Sequence, residues 1–465
     1  MEWHSQFVTG EIAWMATATV CLLLLLWPGL LLSFGGLLCR RDLARSAPQW
    51  LTVLAVLCLV WGLWSYSLAF APSWENAPAA ESAPPIESNL QELMERSEKN
   101  EDKSREMGRG GVIGGLEYAG LRGLAPNAGT RLPIFPTRRP AHHLPHLLFM
   151  AFQMIVFVAI QAPLLLVALD GSKFGRLVLF AVVWGTLVYP PVAHAVWGDG
   201  WLSTRGALDL GGGLLHLSVG CSALACAVAF GPGDHPAASA GVAPAPTGEP
   251  DSGDLLRAAS GTLFVWCGAC ALHASGGILV DSAGQASVAF FNTILAAIAG
   301  LLAWKGTSHF VWKTASPFDP CAGALAGVVA VAAGSGYVAP QSALAVGVAA
   351  GVTGSVVLGL LRGPIERRPA LLVFVIQGVP AILGILLAGV FATSGVAPVR
   401  HDGTQVEGLI GGNAGQLAVQ GIAVAAASAW AFGATLLIAL LMNLVARLQG
   451  NAGSSIDSES PEIGM

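Results

Sequence analysis

The chain has 465 residues, 54% of them apolar and 11% charged, with a net charge of −5. A soluble domain carries roughly a quarter charged residues, so a solvated globule is excluded, and the basic residues are too scattered to form a nucleic-acid surface. The composition implies an all-α polytopic membrane protein.

In chain order, eleven stretches carry the roughly 20 apolar residues that a spanning helix needs. They fall at about 13–38, 49–71, 147–169, 177–197, 206–231, 258–280, 286–304, 321–338, 341–361, 370–396 and 413–446. The first eleven residues have neither a basic leader region nor an A-x-A-like cleavage site, so the first stretch is expected to be a retained helix. This divides the chain into helices 1–2 (1–72), a long external segment (73–143), helices 3–5 (144–231), a Pro/Ala/Gly-rich linker (232–254), helices 6–11 (255–447) and a polar tail (448–465). Within the external segment, about 75–107 forms a low-complexity insertion. Its QELMERSEKNEDKSREM stretch could form a short solvated helix and is otherwise expected to be flexible. The tail is expected to be disordered.

An odd number of spans places the termini on opposite sides of the membrane. Short cytoplasmic loops retain basic residues. With the N-terminus outside, Arg40, Arg41, Arg45, Lys173, Arg176, Arg257, Lys305, Lys313, Arg362, Arg367, Arg368 and Arg447 are cytoplasmic, and the short external loops hold Arg205 and Arg400. The N-terminus is therefore expected outside and the C-terminus in the cytoplasm.

Ionisable and strongly polar groups within apolar stretches are costly and often functional. His216 lies in GGGLLHLSVG and His273 in CALHASGG. Either could line a path or hydrogen-bond a neighbouring helix. Asp209 opens the fifth stretch in GALDLGGG, where it could cap the helix, attract a cation, or both. Gln377, in FVIQGVPAILG, could join helices or face a pore. Cys267 and Cys270 form C-x-x-C among small apolar residues, a packing arrangement rather than a metal or redox site. No cofactor is expected, and nothing in the sequence supports an enzyme.

Several segments together resemble the ammonium transporter (Amt/Rh) family. They are PGLLLSFGGLL (28–38), YSLAF (66–70), GGLEYAGLRG (114–123), LFMAFQM (148–154), LVYPPVAHAVWGDGWLSTRGALDLGGG (187–213), AFFNT (289–293), CAGALAGVVAVAAGSGYV (321–338) and GGNAGQLAVQ (411–420). Their order spans nearly the whole chain except the insertion and the tail. The resemblance implies eleven transmembrane helices with a 5+5 inverted repeat, a homotrimer in the lipid bilayer, and a hydrophobic pore for ammonium or ammonia in each subunit. It places Trp197, Asp209 and Phe152 at substrate recruitment, Val156 and Leu272 at the gate, and His216, Gln377 and His273 along the pore.

The departures from the family pattern concern the pore. Its second histidine falls at Gln377, and its two gate phenylalanines at Val156 and Leu272, with Phe157 adjacent as a partial substitute. The asparagine that follows the second gate position is His273 here. Asp209 and His216 are seven residues apart where the family has eight. Asp170 stands for the acidic residue after the third helix, and the family's cytoplasmic tail is not recognisable. A Gln amide retains hydrogen bonding but has no titratable proton near neutrality. Neutral ammonia is therefore the expected species, with His273 as a candidate replacement for the missing imidazole. A non-conducting or sensor-like relative of the same fold is the alternative. The sequence names no cytoplasmic regulator.

Overall fold

The computed structural model describes residues 9–39, 47–74, 110–124, 144–168, 174–229, 251–279, 283–397 and 405–457. The 75–107 insertion with its expected helix, Asp170, most of the 232–254 linker and residues 458–465 lie outside them. Among the described residues the chain is helical and forms no strand. The two extended contacts are the isolated bridges Ser73–Gly114 and Val338–Ala392.

The helices in chain order are α1 (Gly10–Leu37), α2 (Pro48–Phe70), α3 (His146–Ala168), α4 (Phe174–Leu187, resuming at Tyr189–Trp197) and α5 (Gly213–Ala229). There follow α6 (Ser252–Leu279), α7 (Ala283–Phe310), α8 (Asp319–Val331), α9 (Pro340–Leu360), α10 (Ala370–Phe391) and α11 (Ala414–Asp457). Nine of them, among the described residues, are long and apolar enough to cross a membrane; α5 and α8 are apolar but shorter.

The boundaries differ from the sequence reading at points with a local cause. The α4 helix is interrupted at Val188, just before Pro190 and Pro191, whose rings supply no backbone N–H. The α6 helix begins inside the expected linker because Asp251 and Asp254 form a reciprocal cap. Asp254 N–H donates to Asp251 Oδ1 at 2.7 Å, and Asp251 N–H to Asp254 Oδ2 at 3.3 Å. The α11 helix continues past 448 to Asp457.

The two short helices are the informative ones. At 1.5 Å per residue α5 is about 26 Å long and α8 about 20 Å, against a hydrocarbon core of about 30 Å. Each is completed by irregular backbone: 206–212 before α5, although the fifth apolar stretch begins at 206, and 332–338 after α8. These segments meet, with Leu210 N–H donating to Ala333 O at 3.1 Å and Gly211 N–H to Ala332 O at 3.0 Å. Irregular backbone at this depth requires internal partners, and buried amides supply them. Gln420 accepts from Leu208 N–H at 2.8 Å and donates to Leu208 O at 2.9 Å. Asn292 Nδ2 donates to Ser335 O and Val338 O, and Gln285 Nε2 to Gly336 O.

Close packing of small residues holds the bundle together where lipid offers no hydrophobic drive between helices. On α1, Gly29 abuts Val265 and Gly261 of α6, so that a Cβ there would meet Val265 N at 2.8 Å. On α5, Gly220 meets Gly378 of α10 backbone to backbone. The α5 helix is buried along nearly its whole length, whereas α7, α9 and α11 each expose a row of large apolar side chains, including Phe290, Val348 and Leu440. The functional candidates therefore lie on or against a helix buried in the interior of the bundle.

Candidate functional site

A narrow cavity, with room for about one water-sized molecule, runs between α1, α3, α5, α6, α8 and α10. Its wall is almost wholly apolar, formed by Leu26 and Leu30 of α1, Val156 and Ile160 of α3, Leu215 of α5, Val265, Ala269 and Leu272 of α6, and Leu325, Val328 and Val329 of α8. Gly211 and Gly212 close one side with bare backbone. Three polar side chains interrupt this surface: His216, His273 and Gln377.

His216 is one turn into α5, and its ring retains partial exposure because it faces the cavity. Gln377 lies in a π-helical turn of α10, Phe374–Gly378. Such a turn re-aims one side chain within an otherwise regular helix and is frequent at functional sites. The contact between Gly220 and Gly378 draws α5 and α10 together just beyond the pair. His216 Nδ1 and Gln377 Oε1 are then 2.5 Å apart. An amide oxygen accepts, so the imidazole N–H donates from Nδ1, leaving Nε2 with a free lone pair.

His273 is fully buried on α6, with Nδ1 2.8 Å from Thr293 Oγ1 of α7. Sequence reading missed Thr293, because a hydroxyl that donates to its own helix backbone, here to Ala289 O, gives no sign in the sequence that it also accepts from another helix. It also missed most of the apolar wall, because nothing distinguishes a cavity-facing Leu from its neighbours.

The gate positions Val156 and Leu272 both lie in the cavity wall. Phe157, the adjacent aromatic, does not substitute for a gate ring. It turns away to stack on Trp61, ring centroids 4.9 Å apart, and meets Tyr189 edge-on at 5.0 Å. One residue along a helix is a rotation of about 100°, and here that rotation carries the Phe157 ring out of the cavity wall and into the cluster of Trp61 and Tyr189. Phe152, one turn before Val156, is buried outside the cavity wall.

Asp209 is also outside that wall. Its carboxylate accepts from Gly212 N–H at 2.8 Å, Gly213 N–H at 2.7 Å and Leu214 N–H at 2.8 Å, the unpaired amides at the start of α5. It therefore fixes the turn that delivers His216. Gly212 allows that turn with φ +88°, a conformation costly for any residue with a Cβ. Half-buried Trp197 lies over the same turn. Its Nε1–H donates to Asp209 O at 2.8 Å, and a Cβ on Gly212 would meet the indole at 3.2 Å.

Residues 108–457 match the model of the Ammonium Transporter Family. The chain belongs to the ammonium transporter family. Over 425 residues it is 29% identical to an ammonium transporter of Bacillus subtilis, covering 90% of each chain. It is 27% identical over 459 residues to an ammonium transporter of Aquifex aeolicus, covering 97% of this chain and 92% of that one. The crystal structure of Candida albicans Mep2 superposes with a TM-score of 0.74 at 24% identity, over 96% of this chain and 87% of that one, a likeness of fold.

The polar part of the cavity is an imidazole against an amide, His216 and Gln377, with a further imidazole, His273, in the same wall. Among the described residues no three His, Cys, Asp or Glu side chains are grouped to hold a metal ion. Cys267 is exposed on α6 and Cys270 buried.

Proposed function

We propose that this family member transports ammonium across a membrane by passing neutral ammonia through a narrow apolar path in each subunit. The observation that carries this reading is the His216–Gln377 pair, set with His273 in a wall whose other side chains are aliphatic. An ammonium ion entering such a path loses hydration that nothing there replaces. Ammonia needs only acceptors and donors at that depth, and the pair offers both. A Gln has no titratable proton near neutrality, so the pair has one fewer link for carrying protons than two imidazoles would have.

At one end of the path Trp197 offers an indole face to a cation, worth about 0.5–2 kcal/mol. Asp209 anchors the turn beneath it and adds negative charge at the mouth. Phe152 lies a turn beyond Val156 on the approach. Ammonium gives up its proton to bulk water at this mouth, and ammonia alone goes on past Val156 and Leu272.

The same reading takes α5 and α8 as spanning, with their irregular extensions, giving eleven spans. The packing of α1 on α6 and of α5 on α10 is the pairing that a 5+5 inverted repeat would produce. The subunits form a homotrimer, with the N-terminus outside and the C-terminus in the cytoplasm, as the basic loops favour. A sensor-like form that does not conduct is the reading to be separated experimentally. Uptake of labelled methylammonium into proteoliposomes does so: accumulation above empty vesicles that His216→Ala abolishes supports transport, and no accumulation refutes it.

A further inference from the structure

The hydrogen bonds around His273 fix its tautomer. Thr293 has one hydroxyl proton, and Oγ1 donates it to Ala289 O at 2.6 Å. Towards His273 that hydroxyl can only accept, so the imidazole donates from Nδ1–H across the 2.8 Å contact. The proton of the neutral ring is thereby placed on Nδ1, and Nε2 carries a lone pair.

That nitrogen is buried and has no hydrogen-bond partner among the described residues. Buried polar atoms are paired in the great majority of cases, so an orphan acceptor facing a cavity points to an occupant. The ring edge bearing Nε2 lies over Gly211, where a Cβ would meet Nε2 at 2.8 Å. Gly211 belongs to the cavity wall together with His273, His216 and Gln377. A side chain at Gly211 would collide with this ring edge, and the neighbouring aliphatic wall supplies no donor to the buried nitrogen.

We propose that His273 Nε2 is a substrate acceptor in the cavity, taking an N–H of ammonia or of a small primary amine, with Thr293 as the positioning residue that keeps the lone pair inward. This rests on the transport reading and deepens it. The cavity then offers two imidazole lone pairs, one from His216 and one from His273, so a molecule with several N–H groups can leave one acceptor as it reaches the next. Apolar gases and chloride have no donor to offer either nitrogen.

The test uses the full chain in bilayers with ¹⁵N-labelled histidine, the His273→Asn variant assigning the signals. Wild type is expected to show His273 protonated at Nδ1 and bare at Nε2. Ammonium chloride should shift Nε2, and sodium chloride at equal ionic strength should not. Thr293→Val should let the second tautomer appear. His273→Leu should raise the half-saturation for methylammonium roughly three- to tenfold, the value of one hydrogen bond. An Nε2 signal that ammonium leaves unmoved, together with an unchanged half-saturation in His273→Leu, overturns the proposal. An Nε2 response in a protein that transports nothing supports the binding site and removes the transport reading.

Discussion

His216 and Gln377 come within 2.5 Å of each other from two helices packed side by side, α5 and α10, joined by an imidazole N–H and an amide oxygen. The bond commits one ring nitrogen to the protein and leaves the other for an occupant. Gln377→Leu should therefore reduce ammonia flux without unfolding the protein. Gln377→His should retain most of the flux, because a second imidazole can still hold the first. Stopped-flow measurement of vesicle pH gives both rates.

The pair depends on how closely α5 and α10 approach. A Cβ on Gly378 would lie 2.7 Å from Phe374 Cδ2 and 3.3 Å from Gly220 Cα. Gly378→Ala is expected to cost about 1–3 kcal/mol, typical of an overpacked contact, and to slow uptake by separating His216 from Gln377. Thermal unfolding in detergent and uptake in vesicles should change together.

Much of this architecture is legible in the sequence, and the exceptions have physical causes. Among the described residues, apolar length located α1 to α11, nine of them long enough to cross a membrane. The same measure could not see that α5 starts at Gly213, because Leu208, Leu210 and the glycines read as helix until their amides are seen bonded to Gln420 and Ala333. His216 and Gln377 stood out as polar residues in apolar runs. Phe157 misled because adjacency in sequence is not adjacency on a helix face. Thr293 was silent because its role exists only once α6 and α7 are packed.

Asp209 has three backbone amides on its carboxylate. Asp209→Ala should destabilise the protein by about 2–3 kcal/mol, more than an ordinary cap, since charged hydrogen bonds are lost. Asp209→Asn should fall between, because its amide oxygen can still accept from Gly212 and Gly213 N–H while its NH₂ would meet Leu214 N–H donor to donor. If the role were substrate attraction alone, both variants would unfold at the wild-type midpoint.

Trp197 separates recruitment from scaffolding. Its Nε1–H holds Asp209 O, while its ring is the cation-attracting surface. Trp197→Phe loses the bond but keeps a ring, and Trp197→Leu loses both. The Leu variant should raise the half-saturation for methylammonium about 2- to 30-fold beyond the Phe variant, with little further change in maximal rate. Equal half-saturation in the two variants would assign Trp197 to scaffolding alone.

The central claim is that the midpoint passes the neutral molecule. Simultaneous recording of vesicle pH and ammonium-evoked current from the reconstituted protein tests it directly. The account predicts a pH change faster than in empty vesicles with no accompanying current. A robust current that Gln377→Ala abolishes would contradict it.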